Sequence, residues 1–143
     1  MDFPTIAILA FILVEGANIC ILYFRPSSLK GNGVGAFAAY EKLKDDPEAK
    51  DFVGYLVNWI AGTKLIFILL LAVILAFGNE ATRIGAAVAL VLSILSFFWR
   101  LFPAIRKMDK AGGIRPAGYS KTLAFMIAGM IVLFAAAALS ALR

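Results

Sequence analysis

The chain has no histidine and only one cysteine, Cys20, among its 143 residues. Without histidine there is no His-ligated haem, no mixed Cys/His zinc site and no Ser-His-Asp or Cys-His catalysis. A single cysteine excludes an intramolecular disulfide, and its place inside an apolar run reads as inert packing. Charge is also scarce: 16% of the residues are charged and 62% are hydrophobic. Soluble domains carry about a quarter charged and about 45–50% apolar residues, so the balance here points to lipid as the solvent. The length allows one domain and no separate soluble catalytic module. Neither a metal nor a cofactor is implied.

What is present is a set of long apolar runs. Runs of about 18 residues or more mark membrane spans, because roughly 20 residues at ~1.5 Å rise cross the ~30 Å hydrocarbon layer. The first is residues 3–24. It follows Met1-Asp2 with no basic leader and no small-residue cleavage signal, so a retained helix is expected. It ends in Tyr23-Phe24-Arg25-Pro26, an aromatic belt, a cation and a breaker. The second span is expected over 47–78, with Asp46 as N-cap, Pro47 at the first helical position and acids at the positive end of the dipole. Gly78-Asn79-Glu80 then makes a tight turn into a third span over 81–102, which ends Phe97-Phe98-Trp99-Arg100 before Pro103. The fourth, over 119–142, is rich in alanine and reads as a packing helix. The expected fold is an all-α integral membrane protein, a bundle of four transmembrane helices forming a single domain over 1–143.

Two longer connections remain. Residues 25–46 contain Gly31-Asn32-Gly33-Val34-Gly35, read as a flexible turn rather than a phosphate cradle because no strand precedes it. A short interfacial helix is expected over 36–44, with Phe37 and Tyr40 towards lipid and Glu41, Lys42 and Lys44 towards water. A basic loop is expected over 103–118. Segment 25–51 carries Arg25, Lys30, Lys42, Lys44 and Lys50, and segment 100–121 carries Arg100, Arg106, Lys107, Lys110, Arg115 and Lys121. The opposite side has only Arg83 and Arg143. The positive-inside bias therefore puts loops 25–51 and 103–118 in the cytoplasm and both chain ends outside. Expected localisation is multi-pass membrane, the cytoplasmic membrane in a prokaryote. The formal charge of +5 is topogenic on this reading and does not call for nucleic acid.

The functional candidates are polar residues inside the spans. Glu15 and Lys64 lie near the middle of the first and second spans, where an unpaired charge costs ~2.5–3.5 kcal/mol and a partner is expected. Counted from the cytoplasmic ends, their depths differ by only a few ångströms, which a lysine side chain can close. Asn18 shares a face with Glu15, and Asn58 sits at the same depth as Asn18, close enough in depth to bond across the two helices. Ser93, Ser96 and Arg100 share one face of the third span, continued by Gly85 and Ala89; Gly54, Asn58 and Gly62 form a similar row on the second. A polar site between the first three helices, open to the cytoplasm, is the expectation. Arg106, Lys107, Lys110, Arg115 and Lys121 are candidates to hold anionic lipid or an anionic ligand.

Three functions fit these residues. One is a transporter or channel for a proton, cation or small polar solute, which with four helices calls for a homo-oligomer. The fragment Ile12-Leu13-Val14-Glu15-Gly16 is similar to the first helix of the small multidrug transporters, although the longer first loop departs from their compact pattern. A second is a membrane enzyme. The layout of loops resembles that of the MAPEG glutathione and eicosanoid enzymes, which implies an anionic cosubstrate held by Asn58, Arg100, Arg106, Arg115 and Tyr119. The dense Arg/Asn/Glu signature of that family's second helix is missing. The third is an accessory or scaffold subunit of a membrane complex.

Overall fold

The computed structural model describes residues 1–140, and all its regular elements are helices. The elements are α1 (Phe3–Phe24), α2 (Ala38–Glu41), α3 (Pro47–Phe77), α4 (Glu80–Leu95), α5 (Leu101–Lys110) and α6 (Tyr119–Ser140). Single 3-10 turns occupy Val34–Ala36, Lys42–Asp45 and Ser96–Phe98. Four stretches are long and apolar enough to cross a membrane: Phe3–Phe24, Pro47–Phe77, Glu80–Lys110 and Tyr119–Ser140. At most 28% of any of these apolar stretches is buried within the chain. Most of the remainder is apolar and half-buried or exposed, more apolar surface than a soluble monomer usually presents to water. Residues 141 and 142, expected to finish the last helix, lie outside the described residues.

The helix starts follow from side chains that satisfy the orphan N–H groups of a first turn. Asp2 accepts from the Thr5 amide at 2.8 Å, Asp46 from the Ala49 amide at 3.0 Å, and Asn79 from the Thr82 amide at 2.9 Å. Pro4 and Pro47 stand in the first turns of α1 and α3, where no N–H is missed. The fourth long helix is capped from another element. Asp109, on α5, accepts from the Gly118 amide at 3.1 Å and from the Ser120 amide and hydroxyl at 2.9 and 2.6 Å.

Two expected connections differ in the structure. The basic loop over 103–118 is helical as far as Lys110, so Arg106, Lys107 and Lys110 stand on α5. Pro103 falls in the first turn of that helix and so begins it rather than preventing it. The interfacial helix over 36–44 is broken into one α turn between two 3-10 turns.

α1 is central and packs on α3, α6 and α4, while α4 packs mainly on α6. Although a tight turn joins them, α3 and α4 touch sparsely. The principal core, at the end holding the N-terminus, unites Ala7, Ile8 and Phe11 with Leu71, Ala87, Leu90, Phe134 and Ala137. Phe11 meets Phe67 and Phe134 edge-on, with centroids 6.1 and 5.5 Å apart. At this end Arg83 draws three helices together. It pairs with Asp2 at 3.3 Å and donates to the Leu75 carbonyl at 3.2 Å, near the C-terminus of α3.

At the opposite end the two longer connections are joined. Phe37 and Ile114 form an antiparallel bridge; the Ala38 amide donates to the Gly113 carbonyl at 2.9 Å, and the Arg115 amide to the Ala36 carbonyl at 2.8 Å. Ala36, Ile105 and Ile114 bury each other beneath it, flanked by Phe37, Phe97, Tyr119 and Leu123. The end of the bundle is thereby closed by a small cap with its own apolar core.

Candidate functional site

Glu15 lies in the middle of α1, four residues beyond Phe11 and therefore one turn towards the cap on the same face. Lys64 reaches it from α3. The Lys64 ammonium donates to Glu15 Oε2, and Asn18 Nδ2 donates to Glu15 Oε1 at 3.4 Å. The carboxylate thus has both oxygens engaged, one by a full charge and one by an amide.

The pair is not sealed by packing. It lines a cavity of about 530 Å3 between α1, α3 and α6. Lys64 keeps 28% of its side chain exposed and Glu15 keeps 16%. Phe11 and Phe67 wall the cavity on the core side, and Leu123, Met126 and Met130 of α6 wall it opposite the pair. Flexible methionines give a wall that adapts to differently shaped apolar surfaces. The polar groups are gathered at one spot and the remaining wall is apolar, the usual composition of a small-molecule cavity.

Asn32 joins the cavity from the first connection. Gly31, in left-handed conformation with φ +59°, lets the chain turn close over α1: a Cβ there would stand 2.6 Å from Ile21 Cδ1 and 2.8 Å from Asn18 Oδ1. Gly33 and Gly35 likewise have no room for a side chain, since the Ser28 and Ser27 carbonyls occupy it. The Gly31–Gly35 segment, expected to be a flexible turn, is therefore closely packed. In sequence only its glycine spacing hinted at this, and nothing marked Asn32.

Several expected site residues stand elsewhere. Asn18 bonds to Glu15 rather than to Asn58, which is exposed and lines a separate crevice with Leu22, Tyr23 and Lys50. Ser93, Ser96 and Arg100 are exposed; Ser96 donates to the Ser93 carbonyl at 2.6 Å, and Arg100 lies over the Trp99 ring. The third span gives the cavity only Ile94, while α6, expected to pack, supplies a whole wall. Cys20 is exposed on α1 rather than packed. Arg106, Lys110 and Lys121 border a groove between α5 and α6, Lys107 lies to its side with Pro103, and Arg115 belongs to the bridge. The set Asn58, Arg100, Arg106, Arg115 and Tyr119 does not converge on one pocket, since Asn58 and Arg106 line different ones.

Among the described residues no cluster of His, Cys, Asp and Glu suits a metal ion. Compared with protein-family models, with curated proteins and with solved structures, the chain matches none of them.

Proposed function

We propose that this chain is a multi-pass membrane protein that binds a small solute carrying a charged or polar group in the Glu15–Lys64 cavity, as part of a transport path. The four long apolar helices and their exposed apolar surface support the membrane placement. The bias of Lys and Arg supports cytoplasmic connections at the capped end and both chain ends outside. In that setting Glu15 and Lys64 meet at mid-depth, where neutralising each other removes most of the insertion penalty.

One observation favours a working site over a purely structural pair: the two charges face an open cavity. A pair serving only to fix register is better served by close packing, since every exposed face admits water or ligand that weakens it. A cation or proton that takes the place of the Lys64 ammonium on Glu15 frees Lys64, giving two arrangements of the same groups. Asn18 holds the second carboxylate oxygen in both. Exchange between them is the minimum a carrier needs.

Four helices enclose little of a path, so the reading includes a homo-oligomer. The row Gly85, Ala89 and Ser93 on α4, continued by Ser96 at its end, is exposed in the single chain. Small and hydroxylated residues at this spacing allow close approach of a second helix in lipid.

The test is dissipation of a pH gradient in proteoliposomes, read by entrapped pyranine, with and without external tetraphenylphosphonium. The wild type should dissipate the gradient faster than empty vesicles, and Glu15→Gln should not. Equal rates for both proteins, or a wild type no faster than empty vesicles under either condition, would defeat the proposal.

A further inference from the structure

The groove between α5 and α6 encloses about 810 Å3 and takes no part in the Glu15–Lys64 cavity. Its two ends differ in chemistry. Arg106, Lys110 and Lys121 stand around one end. The one acid among them, Asp109, already has both oxygens bonded to Gly118 and Ser120, so its charge is directed into the start of α6 and away from a ligand. From there the groove runs along α6 over Ala124, Phe125 and Ala128, faced by Phe98 and Phe102. From Lys121 to Ala128 this wall extends about 10 Å by helical rise. Phe125 is 78% exposed, too large an apolar surface to leave to water.

We infer that this groove is a binding site for one anionic phospholipid, its phosphodiester headgroup among Arg106, Lys110 and Lys121 and an acyl chain along α6. Charge complementarity selects an anion, and the adjoining apolar wall selects an amphiphile over a soluble anion. The bilayer placement proposed above sets the groove at the right depth. α5 buries Ile105 under the cap and leaves its cations outward, so the rim lies at the level of phosphate groups. The inference rests on that placement and not on the Glu15 cavity. Loss of flux in Glu15→Gln with unchanged lipid retention, or the reverse, separates the two.

The experiment is native mass spectrometry of the full chain released from detergent with equimolar phosphatidylglycerol and phosphatidylcholine. The wild type should retain one phosphatidylglycerol, preferred over phosphatidylcholine by about tenfold or more, since three cations face the headgroup. Arg106→Gln/Lys110→Gln/Lys121→Gln should bring the ratio near one. Lys42→Gln/Lys44→Gln/Lys50→Gln, which removes the same charge from the turn before α3 and from the start of that helix, should leave it unchanged. Ala128→Trp fills the groove with the rim intact and should also abolish retention; it decides the matter if the triple variant does not fold. Equal loss in both triple variants would mean general electrostatics, retention in Ala128→Trp would mean no acyl-chain site, and displacement by millimolar inorganic phosphate would mean an anion site alone. Any of these overturns the inference.

Discussion

Lys64 and Glu15, 49 residues apart in the chain, meet side chain to side chain across α1 and α3. Removing one member leaves the other without its counter-charge in a mostly apolar surround. Sealed pairs lose about 3–5 kcal/mol when broken in this way. The partial exposure here lowers the expectation to about 2 kcal/mol for Lys64→Met or Glu15→Leu alone. The double variant should lose markedly less than the sum, a coupling of about 1 kcal/mol or more. Unfolding by sodium dodecyl sulfate in mixed micelles measures all three; additive losses would show that the charges are not energetically paired.

Three glycines offer a graded series. Gly112 has φ +71° with open space around it, so Gly112→Ala should cost only the left-handed strain, about 1–2 kcal/mol. Gly31→Ala bears the same strain and also crowds Ile21 and Asn18, and it should cost more while loosening the turn that brings Asn32 to the cavity. Gly35→Ala meets the Ser27 backbone, which cannot step aside, and should be the most harmful of the three. The order of melting temperatures in detergent checks this, and an equal effect at all three positions would contradict the packing of the Gly31–Gly35 segment.

Acid should weaken the start of α1. Asp2, outside the apolar stretches, titrates below the usual carboxylate range, chiefly because Thr5 donates to it and further because of Arg83. A group lowered in the folded state contributes stability above its unfolded value, and that contribution disappears as pH falls through the folded one. Wild-type thermal stability should therefore fall below about pH 4. Asp2→Asn keeps one acceptor for the Thr5 amide without the charge and should flatten part of that decline, whereas Asp2→Ala should lose stability at neutral pH as well. Identical acid profiles for wild type and Asp2→Asn would remove Asp2 from the account.

The lone cysteine makes orientation testable. Cys20 is exposed, so Cys20→Ala should cost little and gives a background without thiols. Cysteines at Lys30 or Ala111 should then react with a membrane-impermeant maleimide only from the cytoplasmic face, and one at Ala81 only from outside. Labelling of all three from one face would refute the proposed topology.

Much of the helical framework was legible because its signals are local. The starts at Asp46-Pro47 and the bounds of α1 follow from side chains within three residues of each helix end. The meeting of Glu15 and Lys64 was legible from depth alone, since a charge in each of two apolar runs leaves few alternatives. The face α6 turns inward was not. A helix apolar all round has no periodicity to reveal its inner stripe, so Met126 and Met130 looked like any other apolar residues. Asn58 illustrates the reverse error: equal depth does not fix rotation about the helix axis, and it turned to the crevice beside Tyr23. The helix through Pro103 was missed because the same residue ends one helix and can begin the next.

The bridge between Phe37 and Ile114 bears on the order of assembly. Its halves lie on either side of two long helices, so it cannot form while the chain is emerging and only the first half has been made. Such a contact, distant in sequence, carries the full cost of loop closure and comes late. Until it forms, Ala36 and Ile114, which the closed cap buries against Ile105, stay uncovered.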